Sequence, residues 1–248
     1  MTKATKERSP LSLRERAEDE GKTPSGNYLR AIGAVAWKDL AAELRSKELL
    51  SAMLVFALLV IFIFNFALEL DVKTRNSVTS GVLWVTFVFA GTLGLNRSMA
   101  IEKDRGCLDG LLLAPVDRSA IYFGKAISNL AFMLIVEIIV LPIYSLLYNI
   151  NLFQPGLLLI ILLGSIGYTA VGTLLSAMSV QTRTRDVMLP ILLFPIILPV
   201  VIAAIRASGA YLQNMPFDQI LPWLNLLIVY DVIFIAIAFM VFDYVVEE

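Results

Sequence analysis

The sequence predicts an all-α polytopic membrane protein with six transmembrane helices, preceded by an amphipathic helix at the membrane interface. Of its 248 residues, 58% are hydrophobic and 17% are charged, whereas soluble globular proteins average about 45–50% apolar and about 25% charged residues. Mean hydropathy is +0.78, and several apolar runs reach the ~20 residues that cross a bilayer as a helix. A soluble globular fold is therefore excluded.

The N-terminal region divides into a tail and an interface helix. Residues 1–28 mix charges of both signs without hydrophobic periodicity, which predicts a disordered tail, and no apolar segment typical of a signal peptide follows them. In residues 29–48, apolar side chains recur at three-to-four spacing, which predicts an amphipathic helix with Trp37 at headgroup depth. Its apolar face comprises Ile32, Val35, Ala36, Leu40 and Leu44, and its opposite, solvent-facing side comprises Lys38, Asp39, Glu43, Arg45 and Lys47.

The remainder of the membrane domain (29–248) contains the six predicted spans, near 49–68, 78–95, 124–148, 157–180, 187–205 and 221–242. Small residues recur along span four, where they allow close helix packing, at Gly164, Ser165, Thr169 and Thr173. Span five contains Pro190, Pro195 and Pro199. Each proline removes a backbone hydrogen bond and favours a kink, so we expect either a moving part or a static bent helix there.

The charge distribution predicts the orientation of the chain. With the N-terminus inside, eleven Lys and Arg residues lie near the inner ends of the spans. The outer connections hold only Lys73, Arg75 and Arg206, the last in the connection 206–220. Because cytoplasmic loops are enriched in Lys and Arg, both termini are predicted to lie in the cytoplasm, with the protein in the cytoplasmic (inner) cell membrane.

Spans two and three are joined by a charged segment, residues 97–123, which we call the elbow. A short polar helix, a stop at Gly106 and a turn at Pro115 are its predicted features. A folded, charged elbow between membrane helices is a surface that a motor protein can bind. The alternative is a solvated charged loop without a partner.

Two carboxyl groups, those of Glu137 and Asp231, lie within predicted spans. A charge at that depth costs several kcal/mol, so both side chains are expected to face the bundle interior or a wet cavity. One interpretation places them on a substrate or proton path. The other makes them packing residues that hydrogen-bond Asn65, Asn129, Ser145 or a tyrosine.

Enzyme functions have little support in the sequence, and we predict neither a catalytic residue nor a metal site. Histidine, the commonest general base and transition-metal ligand, is absent. Asp231 lacks the Gly-x-Gly-Asp partner of an intramembrane aspartyl protease, and no histidine could activate Ser165. No phosphate-binding Gly-x-x-x-x-Gly-Lys-Ser/Thr loop occurs, so ATP would have to bind another polypeptide. The net charge of −1 gives no support for nucleic-acid binding.

Several motifs together resemble the heme exporter protein B (CcmB) family, the membrane subunit of the cytochrome c maturation ABC system. They are Gly81-Val82-Leu83-Trp84, Glu102-Lys103-Asp104-Arg105-Gly106, Leu108-Asp109-Gly110-Leu111-Leu112-Leu113-Ala114-Pro115 and the proline-rich stretch 189–199. The similarity covers roughly residues 30–210. The Glu-x-x-x-Gly element of the elbow is shared with ABC-2 type permeases generally, so it does not define the cargo.

The resemblance implies a six-helix ABC-2 type permease, present in two copies with separate ATP-binding (CcmA-like) subunits. It also implies a heme-handling membrane subunit (CcmC-like), a small companion (CcmD-like) and a heme chaperone (CcmE-like), with membrane lipid around the bundle. Heme would be the possible cargo, and ATP would bind the partner; no cofactor would be bound by this chain itself. Alternatives are an ABC-2 permease for a drug, lipid-linked glycan or peptide, and a membrane-embedded enzyme.

The resemblance also implies a role for the elbow, which would enter a groove of the ATPase. Gly106 would end a helical turn there without a Cβ clash. Polar contacts would come from Glu102, Asp104 and Arg105, and apolar contacts from Leu108, Leu111 and Leu112.

Overall fold

The computed structural model describes residues 25–67, 72–104, 116–180, 182 and 184–245, which form seven helices and no strand. Six of these helices are long and apolar enough to cross a membrane, which confirms the predicted fold class. Most of the predicted tail lies outside the described residues. The helices are α1 (Ser25–Ser46), α2 (Glu48–Ala67), α3 (Val72–Asp104), α4 (Arg118–Tyr148), α5 (Pro155–Ser179), α6 (Arg185–Leu212) and α7 (Phe217–Val245).

Several helices extend beyond the predicted spans. Helix α3 runs without interruption to Asp104, so residues 97–104 of the elbow continue the second span instead of forming a separate polar helix. Helix α4 begins at Arg118, and α6 continues to Leu212. The prediction that Arg206 belongs to an outer connection is therefore wrong. The surrounding alanines, Ala203, Ala204 and Ala207, are fully buried strong helix formers that carry α6 through this position.

Helix α5 lies at the centre of the bundle, where it packs against α3, α4, α6 and α7. Its small residues permit this position: a Cβ on Gly164 would overlap the ring of Trp84, and one on Gly172 would overlap Leu95. Helix α2 lies to one side, against α3 and α4, and exposes apolar side chains such as Val55 and Ile63. Because lipid tails are as apolar as these side chains, close packing and hydrogen bonds, and not burial alone, hold the bundle together.

The three predicted prolines lie within α6, which remains one helix by its hydrogen-bond pattern. Pro190 has no N–H to bond the carbonyl of Asp186, and that carbonyl instead accepts a hydrogen bond from the Asn96 amide of α3 at 3.3 Å. Pro195 and Pro199 lie on the exposed side of the helix. A moving part at these positions stays a prediction.

Candidate functional site

Helix α1 is joined to the first turns of α4 by a buried ion pair. Lys125 of α4 is 1% exposed, and its Nζ lies 3.0 Å from Oδ2 of Asp39. Ser128 donates a hydrogen bond of 3.0 Å to the same oxygen, and Lys38 approaches Oδ1 at 3.1 Å from the surface. We call these four residues the α1–α4 junction. A Cβ on the neighbouring Gly124 would overlap Val35, so the two helix backbones lie unusually close together at this point.

The structure corrects the predicted faces of α1. Asp39 and Glu43 were expected on its solvent-facing side, but they are only 8% and 6% exposed. Leu44, which was expected on the apolar face, is exposed. The reason is that α4 and the start of α2 offer these two acids specific partners, which periodicity along α1 alone does not reveal.

Electrostatics at the junction favour an ionised Asp39. Burial by itself would raise the pKa of this carboxyl, but the charges of Lys125 and then Lys38, with their hydrogen bonds, hold the pKa below its usual value of 3.8. Asp39 therefore remains a carboxylate at neutral pH.

The corner between α1 and α2 is fixed by Glu43. Its Oε1 accepts a hydrogen bond of 2.9 Å from the backbone N–H of Leu50 in the first turn of α2, and Oε2 accepts one of 3.2 Å from Ser46. A carboxylate at a helix N-terminus satisfies an otherwise unpaired N–H and interacts favourably with the helix dipole. Lys47 turns the chain between the two helices with a φ of 54°.

A cleft of about 200 Å³ separates α1 from the inner ends of α2, α3 and α4. Lys38, Asp39 and Glu43 line it from α1, while Ser98 and Ile101 line it from the last turns of α3. Nearby, Arg97 of α3 forms an ion pair with Glu48 of α2. The cleft therefore lies beside the point where α3 leads into the elbow.

Residues 105–115 of the elbow fall outside the described residues. This holds for Arg105, Gly106, Leu108, Leu111 and Leu112; Glu102 and Asp104 lie in the last turn of α3, without described side chains. The roles expected for these residues therefore stay predictions. The described parts of the elbow are the end of α3, the beginning of α4 and the two residues before it. Both helices line the cleft together with α1.

The two intramembrane acids flank α5. Ser165 donates a hydrogen bond of 2.5 Å to Oε1 of Glu137, while Asp231 of α7 lies against Gly167, where a Cβ would overlap its Oδ1. Within the described part of the chain, Oε2 of Glu137 and both carboxyl oxygens of Asp231 are buried without a hydrogen-bond partner. Asn65, the third polar candidate, is half-buried near the end of α2 and hydrogen-bonds neither acid.

Other polar residues of the bundle form hydrogen bonds that the sequence did not reveal, two of them between helices. Asn129, expected as a partner for the acids, instead donates a hydrogen bond of 3.0 Å to Thr173. Trp84 donates one of 3.0 Å to Ser208 of α6, and Thr169 bonds the carbonyl of Ser165 within α5. The regular spacing of small residues indicated which face of α5 packs closely, but not which helix covers it.

Comparison with known proteins places this architecture among described families. The sequence profile of a family described as "CcmB protein" matches residues 30–245, from α1 to the end of α7. "Heme exporter protein B" of Pseudomonas aeruginosa is 26% identical over 181 residues, which cover 73% of this chain and 81% of that protein. Proteins of the same name from Rhodobacter capsulatus (26% over 172 residues; 68% and 78%) and Haemophilus influenzae (26% over 181 residues; 73% and 82%) are similarly related.

Proposed function

The chain belongs to the CcmB family, and we propose that it is the membrane permease subunit of an ABC transporter complex that serves heme export and cytochrome c maturation. A separate CcmA-like subunit hydrolyses the ATP. The work supplied by that subunit either moves heme or releases a heme-loaded CcmE-like chaperone. CcmC-like and CcmD-like subunits and a second copy of this chain complete the complex.

The α1–α4 junction carries this proposal. A force applied to the elbow reaches α4 at its first turn, and about two turns further on Lys125 is bound to Asp39 of α1 within the protein interior. Removing one partner of such a buried pair costs about 3–5 kcal/mol. Helices α1 and α4 therefore move as one body when the ATPase pushes the elbow.

Helix α4 also connects the junction to the membrane centre. Lys125 and Glu137 lie about 18 Å apart along its axis at 1.5 Å per residue, and Glu137 is hydrogen-bonded to Ser165 of the central helix α5. A displacement of α4 thus changes the contact of a buried acid with α5. ATP binding shifts the bundle only if the ATPase contacts favour one arrangement over the other.

The orientation follows the positive-inside distribution, with the elbow, α1 and both termini in the cytoplasm. The elbow then lies on the side where ATP is available. Because the chain contains no histidine, heme contacts along it would have to come from apolar walls, Met, Tyr and Arg side chains.

The coupling role is tested with two elbow variants, Glu102→Lys and Gly106→Val, in the complete complex. Both are expected to lose co-purification of the ATPase or its stimulated turnover, because they change the charge and the backbone freedom of the docking surface. Asp218→Lys is the matched control, since Asp218 is an exposed acid in the first turn of α7, outside the elbow. Wild-type assembly and turnover in both elbow variants would contradict the proposal.

The cargo is tested by deleting the gene and measuring covalently attached heme on c-type cytochromes. Loss of attached heme, restored by the wild-type gene but not by Gly106→Val, supports the heme-linked function. Normal cytochromes in the deletion strain would favour an ABC-2 permease for another cargo.

A further inference from the structure

Arg206 lies on α6 at the end of the bundle opposite α1. It lies within the apolar segment Asp186–Leu212 of α6, about 9 Å inside the end of the helix at 1.5 Å per residue. It forms no ion pair or hydrogen bond with any residue that the structure describes. Its side chain is exposed, and an arginine near the end of a membrane helix typically lays its aliphatic stem along apolar surface and keeps its guanidinium at the membrane–water interface.

Arg206 borders a pocket of about 320 Å³ between α6, the start of α7 and the N-terminal part of α3. Gln213 and Gln219 provide hydrogen-bonding groups in the wall, and Trp223, Met215 and Ile205 provide apolar surface. The volume is within the range of small-molecule pockets, and polar and apolar groups contribute about equally to the lining.

Two small residues, Ser80 of α3 and Gly209 of α6, line part of the pocket. A Cβ on Gly209 would lie 3.1 Å from Oγ of the buried Ser80, so α6 and α3 approach closely beside the pocket. The nearest acid in sequence on α7, Asp218, is exposed and forms no ion pair with a described residue. The positive charge is therefore not neutralised within this part of the chain.

We propose that this pocket binds an anionic amphiphile, with Arg206 pairing its carboxylate or phosphate and Trp223 and Met215 covering its apolar body. The planar guanidinium matches both oxyanions with two parallel hydrogen bonds. Trp223 is the aromatic type that is enriched at membrane–water interfaces. Two sources carry this chemistry: the propionates of heme, which rest on the proposed function, and the headgroup of an anionic phospholipid, which does not.

The test uses the full-length chain in phosphatidylcholine nanodiscs and titrates hemin and its dimethyl ester by absorbance. A second arm measures phosphatidylglycerol bound to the purified protein by native mass spectrometry. Both arms compare wild type with Arg206→Gln and Arg206→Lys. Arg45→Gln is the control, because Arg45 is an exposed arginine on α1. Circular dichroism verifies that each variant is folded.

Hemin binding that weakens at least ten-fold in Arg206→Gln, and less in Arg206→Lys, supports the site with a carboxylate ligand. Esterification of the hemin should then weaken binding to the wild-type protein by the same factor as Arg206→Gln does. Bound phosphatidylglycerol that is lost in Arg206→Gln, with hemin binding unchanged, supports it with a phosphate ligand. If Arg206→Gln behaves like Arg45→Gln in both arms, the proposal is overturned. These measurements need no partner subunit, so their failure is distinct from a failure of the cytochrome assay.

Discussion

The α1–α4 junction and the membrane centre around α5 each bury an aspartate, but they treat it differently. Asp39, 8% exposed, has Lys125, Lys38 and Ser128 as partners. Asp231, 5% exposed, has no hydrogen-bond partner among the described residues. The comparison teaches that burial alone does not define the role of an acid. Asp39 fixes two helices to each other, whereas the carboxyl oxygens of Asp231 remain without a described hydrogen-bond partner in the centre of the bundle.

The largest expected effect comes from breaking the junction. Asp39→Asn leaves the ammonium of Lys125 buried without its carboxylate, so we expect a loss of about 3–5 kcal/mol in the free energy of unfolding. SDS titration in mixed micelles, followed by circular dichroism, measures it. Lys38→Met is the matched control, since Lys38 contacts the same carboxylate from a 44% exposed position, and it should change stability by less than about 1 kcal/mol.

A double variant separates the charge from the packing. Asp39→Leu combined with Lys125→Met removes both charges and should recover most of the stability that Asp39→Asn loses. Equal instability of the double variant and Asp39→Asn would mean that packing, and not the ion pair, holds the junction together. The contrast between a paired Asp39 and an unpaired Asp231 would then explain nothing about stability.

Lowering the pH is the next test of the difference between Asp39 and Asp231. Because the folded pKa of Asp39 is lowered relative to its unfolded value of 3.8, the unfolded state takes up the proton first. The stabilisation is therefore complete above about pH 5 and is lost as the pH falls below 4 and through the lowered folded pKa. SDS titrations between pH 7 and pH 3 should show this loss in wild type and not in Asp39→Asn. A loss of equal size in both proteins would assign it to other acids.

Overpacking the centre of the bundle should have a smaller effect than breaking the junction. Gly164→Val places a side chain against the ring of Trp84 and strains its 3.0 Å hydrogen bond to Ser208, with an expected loss of about 1–3 kcal/mol. Trp fluorescence reports the displaced ring. Gly81→Val is the matched control on the helix of Trp84, because a Cβ at Gly81 meets no atom within 4 Å; equal losses in both variants would refute the packing role of Gly164.

The smallest effect is expected for Asp231→Asn. Since neither carboxyl oxygen bonds a described residue, the amide removes no visible interaction, and stability should change by less than about 1 kcal/mol. The same titration applied to Asp39→Asn provides the direct comparison. A loss as large as that of Asp39→Asn would show that Asp231 has a specific partner in the folded protein. Normal stability together with failed cytochrome maturation would instead assign Asp231 a functional role.

The predicted parts of the fold and the missed parts have different physical origins. Composition and the length of the apolar runs predicted six spans, because a bilayer demands about 20 apolar residues and internally satisfied backbone groups. The small residues at Gly164, Ser165 and Thr173 likewise predicted a closely packed α5, and the structure places Trp84 and Asn129 against that helix. These features depend on each helix and its solvent alone.

What only the tertiary structure decided is the pairing of polar groups between helices. The sequence by itself determined an all-α membrane bundle with charges gathered on one side. It did not show that Asp39 and Glu43 are buried, that Ser165 is the partner of Glu137, or that α6 continues past Arg206 to Leu212. Periodicity states which residues share a helix face, whereas burial and partners depend on the neighbouring helix that covers that face, and residues as far apart in sequence as Asp39 and Lys125 come together only when the bundle packs.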